Sequence, residues 1–149
     1  MPPTTIRQQL IAAVEARMKT ILKANGYNTD LGLHVRVSPT DAAPETWEWS
    51  MDVFFPGASD PDAAGVSNRW DYALDVDIDM DQIGAASDAD VSNMLADVLA
   101  AIGQDDTWGG LAFETKRPSH NPEWERKGRL VGAANIRLQI LYRTQPWTI

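Results

Sequence analysis

The sequence predicts a two-layer α+β sandwich: one antiparallel or mixed sheet of about five strands, with two helices on one face. Three observations lead there. The segments 5–25 and 87–103 repeat apolar residues every three or four positions, the period of an amphipathic helix. Five other segments alternate apolar and polar residues, which gives each strand a dry side and a wet side. The chain is 149 residues long, 44% hydrophobic and carries six Trp, enough for one domain (1–149) with an ordinary core.

The expected order is α-β-β-β-α-β-β. In the first helix Ile6, Leu10, Val14, Met18 and Ile21/Leu22 draw the apolar stripe. Thr5 and Gln8 have the spacing of a capping box, and Gly26 suits a left-handed stop. "LHVRV" turns Leu33, Val35 and Val37 inward, with His34 and Arg36 outward. "WEWSMDVF" places Trp47, Trp49, Met51 and Val53 on one face, and "PGASDPDAAGVSN" is a turn-rich connection. The third strand, "WDYALDVDID", sets Trp70, Tyr72, Leu74, Val76 and Ile78 against Asp71, Ala73, Asp75, Asp77 and Asp79. The second helix has Ser87 as cap, Asp88 and Asp90 at its positive end, and Gly103 to close it. Its buried stripe is Val91, Met94, Leu95, Val98 and Ile102. "LAFETKR" and "NIRLQILYR" are the last strands, joined by the loop 118–128.

Composition narrows the function classes. Thirteen Lys+Arg against 21 Asp+Glu give a net charge of −8, and the basic residues are scattered, which disfavours tight binding to a nucleic-acid backbone. No run approaches the roughly 18 apolar residues of a membrane span. The N-terminus lacks the basic and apolar regions of a secretory signal. With no cysteine there is no disulfide, no thiolate metal site and no Cys nucleophile, as suits a cytoplasmic protein.

The chemistry turns on "WDYALDVDIDMDQ", which holds five aspartates. On a strand, side chains two apart share a face about 7 Å from each other. Asp75, Asp77 and Asp79 are then too widely spaced to grip one ion together unless the chain bends. The glycine of an EF-hand loop is missing as well, because Met80 follows Asp79 and Gln82 follows Asp81. A catalytic pair would need two carboxyl groups in unlike environments and a pocket. A row of like charges on an open face supplies neither, so a solvated face partly balanced by Arg36, Arg137 and Arg143 is the preferred reading. No metal, cofactor or catalytic residue is expected.

Elsewhere the signals are weaker. His34 and His120 lack zinc-motif spacing. "QDDTWGGLA" reads as a tight turn, not a phosphate loop, since no Lys follows the glycines. Trp108, Trp124 and Trp147 fall in loops or at the terminus. Each either folds back on the core or anchors a subunit or partner interface. The loop 118–128, charged and holding Trp124, is either idle or an arm that orders on a partner.

The stretches "IRQQLIAAVEARMKTI", "VSNMLADVLAAIGQDDTWGGLA" and "NIRLQILYRTQPWT" resemble tail terminator proteins of long-tailed bacteriophages, the minor tail protein U-like group. The likeness runs in order along most of the chain and is weakest across 38–69. It also rests on the D-D-T-x-G-G turn after the second helix and on "YRT" with a proline near the end. The resemblance implies an α/β sandwich, a hexameric ring on the tail tube and a role in ending tube polymerisation. It implies a head-tail joining surface, with a tail tube protein and a head-neck connector as partners. DNA would pass through without specific binding, and the protein would reside in the virion tail after assembly in the host cytoplasm. Under it, Asp75, Asp77 and Asp79 become lumen-facing residues that repel phosphates. The alternatives are a neck or head-completion protein of the same assembly, and a small carboxylate-dependent hydrolase with its site on the aspartate face.

Overall fold

A computed structural model describes residues 4–59, 69–84, 87–126 and 130–149. The expected connection 56–68 therefore lies partly outside the described residues. The first helix, α1, runs Ile6–Met18 and begins with the capping box: the Gln8 amide donates to the Thr5 hydroxyl, and the Thr5 amide donates to the Gln8 side chain. It ends well before residue 25. The Thr20 hydroxyl donates to the Arg17 carbonyl at 2.6 Å, and the Ile21 amide turns back to Met18, which tightens the last turn. A short 3-10 turn, Lys23–Asn25, follows and stops at Gly26 with φ +91°, the left-handed position expected of that glycine. Ile21 is still fully buried, so the stripe outlasts the helix.

Gly32 sets the next joint. Its amide donates to the Ile21 carbonyl at 2.8 Å, and a Cβ there would meet the carbonyl oxygens of Lys19 and Ile21 at 2.5 and 2.8 Å. This close approach draws Leu31 into the core and leaves Leu33 59% exposed, against the inward place expected for Leu33. Strand β1 is accordingly only Val35–Val37. Strand β2 is Trp49–Phe54, and Trp47 stays outside it, its ring stacked on His34 at 4.0 Å.

Strands β3 (Ala58–Ser59), β4 (Trp70–Ile83), β5 (Glu114–Thr115), β6 (Ser119–Arg126) and β7 (Leu130–Thr144) complete a seven-stranded sheet. Its spine is the antiparallel pair β4–β7, in register from Trp70↔Thr144 to Ile83↔Val131. β2 and β3 line the other side of β4, and β1 adds parallel to β2, so the sheet is mixed. β5 and β6 share the free side of β7. Most of the expected loop 118–128 is thus strand β6. An edge strand has a single neighbour and needs no apolar face, which is why its polar sequence hid it and why Pro122 is tolerated.

Helix α2, Asp88–Gly103, packs on β7 and α1. Val91, Met94, Val98 and Ile102 meet Leu10, Val14 and Met18 over the even-numbered side of the spine, where Leu74, Val76, Ile78, Met80, Ile136 and Ile140 are buried. The fold is the predicted α+β two-layer arrangement. Behind α2 the chain turns through Trp108, Gly109 and Gly110, all at positive φ. Asp105 organises this turn by accepting from the Thr107 hydroxyl (2.6 Å), the Thr107 amide (2.9 Å) and the Gly109 amide (2.8 Å). The Arg17 guanidinium donates to the Ile102 carbonyl in the last turn of α2 and to the Asp105 carbonyl just beyond it, and lies 4.0 Å over the Trp108 ring.

Candidate functional site

Charged side chains gather in a row on the polar side of β4, because alternation sends Asp71, Asp75, Asp77, Asp79 and Asp81 away from the helices. The register decides what each one meets. Asp71 stands opposite Arg143, which donates to it at 2.6 and 3.0 Å; that bond holds the Asp71 carboxyl below its ordinary range and lifts the guanidinium above its own. Asp75 stands opposite Gln139, whose amide donates at 2.8 Å. Asp77 takes Arg137 at 3.4 Å and shares the Asn135 amide with Asp79, which accepts it at 2.7 Å. On the neighbouring strand Asp52, opposite Asp79, is held by Arg36 at 2.8 and 2.9 Å. Each of the three arginines expected to balance the face is therefore in place, but Arg36 serves Asp52 and Asp41 instead of the β4 row.

The row is not uniform. Asp75 and Asp77 border a groove of about 580 Å³ that has Pro56 on one wall and Lys116, Arg117 and Ser119 on the other. Arg137 and Gln139 line it too. Three cations thus stand beside two carboxylates, while the chain as a whole is acidic. Lys116 and Arg117 are exposed and form no ion pair among the described residues. Toward Asp79 the balance reverses, because Asp52 and Asp79 face each other and Arg36 is bonded to Asp52. Among the described residues, no three His, Asp or Glu side chains converge as ligands of one metal would.

Of the three tryptophans expected at an interface, Trp108 is corrected: it is 2% exposed, beneath Arg17, and its indole N–H donates to the Thr115 hydroxyl at 2.9 Å. A turn with two glycines and an aspartate staple folds this ring back onto the core, so the surface anchor is lost. Trp147 is 88% exposed and touches Trp70 edge-on at 4.9 Å. Trp124 falls on β6, and its side chain lies outside the described residues.

Sequence reasoning missed two features. Asp97, 2% exposed on α2, accepts from the Thr29 hydroxyl at 2.6 Å and from the Asn28 amide and side chain at 3.1 and 3.0 Å. A carboxylate three residues from Met94 and four from Ala101, inside the apolar stripe, was the available signal. The groove gave no such signal, since its residues come from four separate segments.

No family model and no curated protein matches the chain. Among solved structures, a protein whose description names no function aligns over 96% of this chain and 98% of its own, with a TM-score of 0.52 and 14% identity. That likeness concerns the fold alone. Another, the sheath/tube terminator of an extracellular contractile injection system in its extended state, covers 99% of this chain and 60% of its own, with a TM-score of 0.42 and 11% identity.

Proposed function

We propose that the chain is a structural virion protein that forms a ring, six copies around, on the end of a phage tail tube, stops tube growth and presents the head-joining surface. One observation carries this reading. The three stretches that resemble tail terminators fall on α1, on α2 with its Asp105 turn, and on β7 with the C-terminal tail, and each of these supplies side chains to the core beside those of β2 and β4. A likeness confined to one surface loop would say far less about the whole domain.

The groove narrows the lumen role expected of Asp75, Asp77 and Asp79. Phosphates near Asp75 and Asp77 would also meet Lys116, Arg117 and Arg137, so repulsion of DNA falls mainly to Asp79 with Asp52 beside it. Purified protein, its native mass and negative-stain images test the ring, and tube assembly with added protein tests the cap. Six-fold rings and tubes of arrested length are expected. A protein that stays monomeric at high concentration and leaves tube growth unchanged would sink the reading.

A further inference from the structure

We propose that the groove over β4 and β7 seats the acidic 38–48 segment of a second copy of this chain, so that neighbouring subunits join head to tail. The inference rests on the ring reading and names the contact that would build it.

The first support is the groove. Lys116 and Arg117 rise on its β5–β6 side without a carboxylate partner among the described residues, and Arg137 is 69% exposed in its side chain. The carboxylates on the floor are already engaged, Asp75 by Gln139 and Asp77 by Asn135 and Arg137. The outward-facing charge is therefore positive, and it suits a carboxylate-bearing polypeptide.

The second support is the opposite edge of the sheet. The segment 38–48, "SPTDAAPETWE", links β1 to β2 and holds Asp41, Glu45 and Glu48 but no Lys or Arg. Asp41 is bonded to Arg36 on the polar side and is still 83% exposed in its side chain, and Glu48 is exposed. With strands about 4.8 Å apart, four steps from β1 to β5 place the two patches roughly 20 Å from each other. Within one chain they cannot meet. Between chains they match by charge, and two different patches in repeated contact generate a ring when the rotation closes. Chains of net charge −8 repel one another, so a local cationic seat is the feature that would let copies associate.

Charge reversal tests the contact by sedimentation at about 0.15 M salt. Lys116→Glu with Arg117→Glu, and separately Asp41→Lys with Glu48→Lys, should each weaken self-association at least tenfold, with thermal unfolding unchanged. Mixing the two variants should restore association, because each supplies one intact or re-matched partner patch. The chain has no cysteine, so Glu48→Cys with Lys116→Cys adds a direct readout: oxidation should give a ladder of linked copies. Rings that persist unaltered in both reversal variants and yield no ladder would overturn the contact and leave the ring reading standing. Association that follows these charges in a protein unable to arrest tubes would overturn the capping role instead. A wild-type chain that stays monomeric would overturn both.

Discussion

Single residues in this fold act through their acceptors. Asp105 has its carboxyl pulled down to about 2 from an ordinary 3.8 by the Thr107 hydroxyl first, then by the Gly109 and Thr107 amides. The unfolded chain takes up this proton first as pH falls, so the stabilisation is whole above the ordinary value and is lost on the way down to about 2. Urea midpoints measured from about pH 5 to about pH 2 should fall less in Asp105→Asn than in the wild type. Parallel curves would show that the turn does not depend on the ionised form. Asp97 is the buried counterpart. Removing its carboxylate in Asp97→Ala strands the Asn28 and Thr29 donors and should cost about 3 kcal/mol in urea unfolding. Asp106→Ala, at an exposed site on the next turn, should stay within about 0.5 kcal/mol.

Between elements, the joint after α1 closes on a backbone contact at Gly32. Gly32 has room for a hydrogen and nothing larger, because the carbonyls of Lys19 and Ile21 are backbone and cannot swing aside. Gly32→Ala should therefore lose about 2 kcal/mol or more, read as a lowered urea midpoint with an unchanged slope. A neutral result would mean that the 3-10 turn Leu31–Leu33 shifts freely. The same joint explains why the apolar period of 5–25 did not make one helix. Periodicity reports which side chains are buried, and Ile21 is buried; it does not report whether the backbone between them stays helical.

For the whole molecule, the tryptophans separate folding from assembly. Trp108→Ala empties a packed site and removes the ring under Arg17, so it should destabilise the fold by roughly 3–5 kcal/mol. Trp147→Ala should leave folding within about 0.5 kcal/mol, and under the ring reading it should weaken association by about 2 kcal/mol. Urea unfolding and analytical ultracentrifugation of the same two variants distinguish the roles. Unchanged association in Trp147→Ala would take that residue out of the interface.

The sequence by itself determined the two helices, the dry side of β4 and β7, the capping box at Thr5 and the Asp105 turn. Each follows from local spacing or local hydrogen bonding, which neighbouring residues settle among themselves. It determined in the same way that the aspartates share a face. Tertiary structure decided what that face is. Gln139, Asn135, Arg137 and Arg143 reach the β4 carboxylates through strand register, Arg36 goes to Asp52 instead, and Lys116 and Arg117 reach the groove from a segment some forty positions away from β4 along the chain. β6 became a strand because β7 offered it a free edge, and the Trp108 ring that the local turn folds inward is covered by Arg17, far from it in sequence. Long-range pairing has no signature in any one stretch, since the partner that satisfies a side chain is chosen only when the whole sheet closes.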